Sequence, residues 1–294
     1  MDMGDLLNSN FKTRVAKRDG MVVPGAPNAL TAKIIEQTGF EAVYVTGAGV
    51  TNMQLGAPDI GLITLSELAE QVAAMRDAVS LPLVVDADTG FGNALNVRRT
   101  VQVLERSGAN AIQLEDQEFP KRCGHFQGKA VIPANEMAQK IKAAVDARRD
   151  QDLMIIARTD ALACSGFDDA MDRASAYIEA GADMTFVEAP RSEEELATIA
   201  RDLAAPQLVN MVAGGLTPLL GCDRLTEMGF AFILYANAAL QAAIHNIQVV
   251  LEHLKSEGSL DGVMDQIADF DARQIAVDKP LFDGLEKKYA LPGM

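Results

Sequence analysis

The segment FPKRCGHFQGK places one cysteine among cations, an imidazole and two glycines, and glycines permit tight turns and close approach to a ligand. Lys121, Arg122 and His125 all lie within three positions of Cys123. A free thiol titrates near ~8.5, and neighbouring positive charge brings the thiolate within reach at neutral pH. The spacing therefore predicts a loop that makes Cys123 ionise over a substrate. The alternative is a solvated basic loop with an incidental cysteine.

Polar residues end almost every apolar run of the chain: Asp86 and Asp88, Glu115, Arg158, Glu188 and Asn210, with Asp59 in the loop after the second run. Carboxylates that converge on one site repel one another, and their pKa values rise unless a cation neutralises them. Because no His/Cys cluster of zinc spacing occurs, the pattern favours a hard, oxygen-liganded ion, Mg²⁺ or alternatively Mn²⁺. For any single Asp, a helix cap or a salt-bridge partner is the alternative.

The apolar runs that carry these residues alternate with helix-like segments. The runs are GMVVPGA, EAVYVTGAG, LPLVVDADTG, NAIQLEDQ, LMIIARTD, DMTFVEAP, PQLVNMVAGG and FAFILYANA. They are β-branched and nearly continuous, as expected of parallel strands that are buried on both faces. Eight such strands alternating with helices predict an α/β fold, a (β/α)8 TIM-type barrel, whose site lies where strands pass into the following loops. A doubly wound open sheet is the alternative, but no Gly-rich phosphate motif follows the first run.

The chain is expected to form a single domain over residues 1–294, because no low-complexity or Pro/Ser-rich linker divides it. From about residue 236 it is longer than an eighth barrel helix requires. AALQAAIHNIQVVLEHLKSEG is an amphipathic helical pattern, and DGVMDQIADFDARQ resembles another. We expect these extra C-terminal helices to pack on another subunit, with a cover over the barrel as the alternative.

The composition argues against several classes of protein. The chain carries a net charge of −15, which repels nucleic-acid phosphates and anionic lipid, so neither partner is expected. With three cysteines and no apolar signal-peptide core near residue 1, we expect a cytoplasmic protein without a disulfide scaffold. No uninterrupted apolar run reaches membrane-spanning length, and neither a G-x-S-x-G motif nor a P-loop occurs.

Four segments resemble the isocitrate lyase/phosphoenolpyruvate mutase superfamily: VVDADTGFGNALNVRRTV, IQLEDQEFPKRCGHFQGK, IIARTDA and FVEAP. The resemblance extends in order from about Pro24 to Tyr235. The K-K/R-C-G-H loop is similar to that of the lyase branch, and VIPANEMAQKIKAAVDAR to the 2-methylisocitrate and 2,3-dimethylmalate lyase groups. The resemblance implies a Mg²⁺-dependent carbon–carbon lyase. Its substrate would be a 2-hydroxy di- or tricarboxylate, of 2-alkylmalate or methylisocitrate type, cleaved into an α-keto acid and a second carboxylate.

The resemblance also implies a role for each site residue. The catalytic residues would be Cys123 as general acid/base, Lys121, His125 and Tyr44. The substrate would be bound by Thr46, Gly47, Ala48, Gly124, Arg158, Glu188 and Asn210. Asp86 would contact Mg²⁺ directly, and Asp59, Asp88 and Glu115 would hold its waters. The base for the hydroxyl proton stays open between Tyr44 and a metal-held water. Family members exchange the eighth helix between subunits, which implies a homotetramer, a dimer of helix-swapped dimers.

Two stretches depart from the family pattern. Where the lyases carry N-x-T-E-F-G after the seventh run, this chain has NMVAGG, with Ala213 in place of the Glu that dimethylmalate lyases and oxaloacetate hydrolases tend to have. After the eighth run, YANA places Ala236 where lyases have proline and hydrolases serine. An oxaloacetate-type C–C hydrolase therefore stays an alternative. A phosphonomutase or phosphonopyruvate-type enzyme would need no Cys123, and a non-catalytic scaffold would need neither the thiol nor the carboxylates.

Overall fold

Eight parallel strands form a closed barrel in the computed structural model, which describes residues 3–122, 124 and 128–291. The strands are β1 (Met21–Ala26), β2 (Val43–Val45), β3 (Leu83–Asp86), β4 (Ala111–Glu115), β5 (Met154–Thr159), β6 (Met184–Val187), β7 (Gln207–Asn210) and β8 (Phe232–Tyr235). Each strand pairs with the next along the chain, and β8 pairs with β1, with Phe232 opposite Met21. The predicted (β/α)8 TIM-type fold is confirmed.

Helices connect the strands, and side-chain caps fix several of their starts. In the barrel they are α1 (Met3–Val15), α2 (Ala29–Thr38), α3 (Gly47–Leu55), α4 (Leu65–Ala78), α5 (Ala94–Arg106), α6 (Ala134–Ala147), α7 (Phe167–Glu179), α8 (Glu193–Asp202) and α9 (Cys222–Met228). Thr64 and Glu67 form a reciprocal capping box at the start of α4. Thr46 caps α3 by accepting a hydrogen bond from the Gly49 N–H group at 3.2 Å. This cap sets the first turn of α3 directly after β2, at the end of the barrel where the site residues lie.

The core consists of one cluster inside the barrel and two between the strands and the surrounding helices. Tyr44, Ile156 and Phe186 are among the buried residues of the inner cluster. Phe11 of α1 packs against Phe232 at the start of β8, with ring centroids 5.7 Å apart. Because α1 covers this amino-terminal end, the opposite end of the barrel is left for the loops that carry the site residues.

The chain divides into two compact units, Met1–Ala238 and Ala239–Met294. The first contains the barrel. The second contains all of α10 (Ala238–Glu257) except its first residue, together with α11 (Phe270–Ala276) and α12 (Lys279–Tyr289). The extra C-terminal helices are thus confirmed, beginning close to the expected position, while the single-domain organisation and the helix exchange stay predictions. In the ranges that the structure describes, no helix combines the length and apolar character needed to cross a bilayer.

Candidate active site

The polar residues predicted from the strand ends lie together at the carboxyl end of the barrel. Asp86 ends β3 and pairs in register with Gln113 of β4, and Glu115 ends β4 opposite Arg158 of β5. These side chains are buried although they are polar or charged. Buried charges need partners, so the contacts among them define the site.

Asp86 is held by two hydrogen bonds to one of its oxygens. Its Oδ1 accepts from the Asp88 N–H group at 3.2 Å and from Gln113 Nε2 at 3.3 Å. Gly47, the first residue of α3, approaches the same carboxylates so closely that a Cβ there would lie 3.3 Å from Asp86 Oδ2 and 3.2 Å from Asp88 Oδ1. The positive end of the α3 dipole therefore faces these acids, together with the backbone of Ala48.

Lys121 joins two of the predicted acidic residues. Its ammonium group lies 2.7 Å from Asp88 Oδ1 and also contacts Asp59, and the lysine side chain is 3% exposed. Burial raises the pKa of Asp88 to about 7, against the opposing effect of Lys121. Burial lowers the pKa of Lys121, but the charges of Asp88 and Glu115 raise it well above its ordinary value. Lys121 is thus a fixed cation that ties the start of the cysteine loop to the strand-end acids.

Arg158 is the centre of a second buried cluster. Its Nε lies 2.9 Å from Asp160 Oδ2 and 3.4 Å from Glu115 Oε2, and its Nη2 lies 3.1 Å from Glu188 Oε2. The guanidinium also stacks over the Phe186 ring, 5.2 Å from its centroid. Burial raises the pKa of Glu115 well above its usual range. Arg158 therefore stands fixed at the barrel mouth, where it can pair with a substrate carboxylate.

Tyr44 and the residues after β2 line the same end of the barrel. Burial raises the pKa of Tyr44 well above its ordinary value, and the charge of Asp86 adds to the effect. Tyr44 is therefore a phenol at neutral pH and can donate a hydrogen bond. The Thr46 hydroxyl group donates to Asn237 Oδ1 at 3.3 Å, which places Asn237 from the unfamiliar YANA stretch beside the site. Asn210 ends β7, and its buried Oδ1 has no hydrogen-bond partner among the described residues.

The residues present fit a hard divalent cation bound mainly through water. Within the ranges that the structure describes, no group of three or more His, Cys, Asp or Glu side chains is arranged to hold a metal. Mg²⁺ usually keeps several waters and takes one or two carboxylates, so it does not require such a group. Asp86 has no ion-pair partner in the described part of the chain, and the buried Glu115 Oε1 accepts no hydrogen bond there. A cation beside these oxygens would also offset the burial that raises the pKa of Asp88 and of Glu115.

The cysteine loop meets the Arg158 cluster through its backbone. Cys123 and His125 lie outside the described residues. Gly124 is described and buried, and a Cβ at this position would lie 2.5 Å from Arg158 Nη2 and 2.6 Å from Glu188 Cδ. The residue that follows Cys123 in the chain is therefore packed directly against the side chains predicted to bind the substrate.

Two residues of this site were not assigned a role from the sequence. Gln113 orients Asp86, and Asp160 orients Arg158. Gln113 lies two residues before Glu115 in β4, so strand alternation would have placed both side chains on the inner face. The sequence shows that Asp160 follows β5, but it does not indicate that Arg158 is the partner of this carboxylate. Burial has the largest single effect on the pKa of Asp160 and raises it. The charges and hydrogen bonds of Arg158 and Lys129 together outweigh burial and lower this pKa to about 2.

Comparison with protein families agrees with this geometry. A family model described as phosphoenolpyruvate phosphomutase matches residues 11–255. The chain belongs to this family. The predicted resemblance to the isocitrate lyase/phosphoenolpyruvate mutase superfamily is thereby confirmed.

Among curated members of the superfamily, this chain is similar to two lyases. It is 46% identical over 266 residues to the 2,3-dimethylmalate lyase of Eubacterium barkeri, covering 90% of this chain and 92% of the relative. It is 46% identical over 253 residues to the 2-methylisocitrate lyase of Aeropyrum pernix, covering 86% of this chain and 81% of the relative. The names of these relatives support a carbon–carbon lyase, as the sequence predicts.

Solved structures of the superfamily cover nearly the whole chain. A crystal structure of 2,3-dimethylmalate lyase superposes with a TM-score of 0.92 at 32% identity, covering 100% of this chain and 97% of that one. The structure of oxaloacetate acetylhydrolase in complex with 3,3-difluorooxaloacetate superposes with a TM-score of 0.88 at 33% sequence identity, covering 95% of each chain. The structure of phosphonopyruvate hydrolase in complex with oxalate and Mg²⁺ superposes with a TM-score of 0.86 at 28% sequence identity, covering 96% of this chain and 98% of that one. The superfamily fold therefore accommodates both lyases and hydrolases.

Proposed function

We propose that this protein is a Mg²⁺-dependent carbon–carbon lyase acting on a 2-hydroxy di- or tricarboxylate, of 2-alkylmalate or methylisocitrate type. The products are an α-keto acid and a second carboxylate. The observation that carries the proposal is the packing of Gly124, from the cysteine loop, against Arg158 and Glu188. It brings the chain next to Cys123 to a buried cation suited to a carboxylate, beside acids suited to a metal. The names of the two similar lyases add support.

The residues at the mouth of the barrel would bind the hydroxy-acid end of the substrate. Mg²⁺, when bound, would supply Lewis-acid polarisation of the substrate hydroxyl and its adjacent carboxylate. Asp86 would hold this ion directly, while Asp59, Asp88 and Glu115 would hold its waters. The backbone N–H groups of Gly47 and Ala48 begin α3, where a carboxylate is favoured by the helix dipole. Arg158 would pair with an anionic oxygen of the substrate, and Asn210 offers a further polar group.

Cleavage then requires two proton transfers. The substrate hydroxyl loses its proton, its carbon becomes the keto carbon, and the carbon–carbon bond breaks. The bonding electrons stay on the carbon next to the second carboxylate, and this carbanion takes a proton from the Cys123 thiol. Because burial keeps Tyr44 in its phenol form, it is better suited to orienting the hydroxyl than to removing its proton. A water among Asp86, Asp88 and Glu115 is then the candidate base.

An oxaloacetate-type hydrolase is the second candidate function. The similarity to oxaloacetate acetylhydrolase supports it, since that enzyme has the same fold. The YANA stretch argues neither way, because Ala236 matches neither the proline of the lyases nor the serine of the hydrolases. Side-by-side assays of 2-alkylmalates, methylisocitrate and oxaloacetate with Mg²⁺ distinguish the two. Release of an α-keto acid from a 2-alkylmalate or methylisocitrate supports the lyase, whereas turnover of oxaloacetate alone would establish the hydrolase and overturn our proposal.

We further propose that the second unit mediates assembly, as a dimer of helix-swapped dimers. One face of α10 is apolar but exposed, with Ile244, Ile247, Leu251 and Leu254 at helical spacing. An apolar stripe of this kind is usually buried by a partner in a soluble assembly.

A further inference from the structure

Lys129, at the end of the cysteine loop, has a buried ammonium group with two partners. It donates to Asp160 Oδ1 at 2.6 Å and to the Gly124 carbonyl group, and the lysine and aspartate side chains are 1% and 0% exposed. A buried ammonium is costly unless it is fully paired, so a side chain in this position is strongly held by its partners. Lys129 therefore fixes the carbonyl of the residue that follows Cys123.

Gln117 holds the residue on the other side of Cys123 in a similar way. Its Oε1 accepts from the Arg122 N–H group at 2.9 Å, and its Nε2 donates to the Arg122 carbonyl at 2.8 Å. The Gln117 side chain is buried, so water does not compete with these bonds. One amide side chain thus satisfies both backbone groups of the residue that precedes Cys123.

The base of the loop is itself closed by backbone pairing. Gln117 and Val131 form an antiparallel bridge, and the Glu118 N–H group donates to the Ala130 carbonyl at 2.8 Å. Arg173 of α7 donates to the Ile132 carbonyl at 2.8 Å. Because the base is already fixed, the bonds from Gln117 to the Arg122 backbone and from Lys129 to the Gly124 carbonyl hold the interior of the loop.

We infer that Gln117 and Lys129 are positioning residues that hold the backbone on either side of Cys123 at its reacting distance from the substrate. The inference rests on the proposed function of Cys123 as proton donor. The ion pair of Lys129 also links the loop to Arg158, because its partner Asp160 accepts a hydrogen bond from Arg158 Nε at 2.9 Å. One buried carboxylate, Asp160, thereby contacts both the lysine that holds the Gly124 carbonyl and the guanidinium proposed to bind the substrate.

The test replaces Lys129 by methionine, which keeps the length of the side chain and removes the ammonium. Lys142→Met, at an exposed position of α6, is the matched control. Because displacement of a reacting group by ~1 Å costs on the order of 10²-fold in rate, we expect Lys129→Met to lower kcat by about 10²-fold. Mg²⁺ binding by calorimetry should match the wild type, because the metal carboxylates are untouched. Gln117→Met should show the same pattern, and it carries the test if Lys129→Met does not fold.

A double variant separates positioning from a merely structural role. If Lys129 acts through the thiol, Lys129→Met should lower kcat by a clearly smaller factor in a Cys123→Ser background than in the wild type. An equal loss of rate in both backgrounds, or a kcat like that of Lys142→Met, overturns the inference. Failure of the proposed function has a different signature, namely a wild-type protein that releases no α-keto acid from 2-alkylmalates or methylisocitrate. In that case the rate of Cys123 alkylation by iodoacetamide decides: a rate changed in both Lys129→Met and Gln117→Met supports the positioning role, and an unchanged rate overturns it.

Discussion

Gly124→Ala perturbs the contact on which the proposed site depends. The added Cβ would lie 2.5 Å from Arg158 Nη2 and 2.6 Å from Glu188 Cδ. Because non-bonded heavy atoms have their optimum near 3.5–4.0 Å, either the loop or the guanidinium must move by ~1 Å. Arg158 is held by Asp160 at 2.9 Å and by Glu188 at 3.1 Å, so it resists displacement. We therefore expect the loop to be displaced.

A displacement of this size at the reacting atoms costs on the order of 10²-fold in rate. Gly124→Ala should therefore lower kcat/KM for the best substrate by about 10²-fold, equivalent to about 2.7 kcal/mol of transition-state free energy. Gly221→Ala is the control, because a Cβ there meets nothing within 4 Å and the backbone is extended at φ −68° and ψ 153°. Steady-state kinetics of both variants and the wild type measure the effect. Wild-type kcat/KM in a folded Gly124→Ala protein would refute the placement of the loop.

Three further predictions concern the metal, the Arg158 cluster and the assembly. EDTA should abolish turnover and Mg²⁺ or Mn²⁺ should restore it, and Mg²⁺ should raise the Tm of the wild type but not of Asp86→Asn; full activity of a metal-free sample contradicts this. The pKa of Asp160 lies at about 2, below its ordinary value, so its stabilising contribution is present above about pH 4 and lost as the pH falls towards 2. Asp160→Asn should lose less free energy of unfolding than the wild type between pH 5 and pH 3 in urea titrations, and equal losses count against the ion pairs. Truncation near Ala236 should give aggregates or smaller species by light scattering, and an unchanged assembly rules out a role for the tail in assembly.

The fold and the strand-end acids were accessible from the sequence because both follow from local patterns. Buried parallel strands read as continuous apolar runs, and their carboxyl ends meet at one end of a barrel. Asp86 and Glu115 could thus be placed without knowing any contact. Their convergence is a consequence of topology, and the strand registers of β3, β4 and β5 agree with it.

The ion-pair partners were not accessible, because they depend on how distant segments meet. Lys121 pairs with Asp59, which lies 62 positions away, and Lys129 pairs with Asp160, 31 positions away. In the sequence, both lysines were cations beside a cysteine, with no indication that they were buried. The role of Tyr44 was left open for a similar reason, since only burial determines that its phenol keeps its proton.

The central claim is that Cys123 protonates the carbanion formed by carbon–carbon cleavage, and Cys123→Ser tests it most directly. The measurement is kcat and KM for a 2-alkylmalate and for methylisocitrate, with α-keto acid release followed in the presence of Mg²⁺. Because a hydroxyl is far less acidic than a thiol, the account predicts a fall in kcat of ~10²–10⁴-fold, the usual scale of general acid–base catalysis. KM should change little, since Arg158 and the metal carboxylates are intact. A serine variant with near-normal kcat would contradict the account.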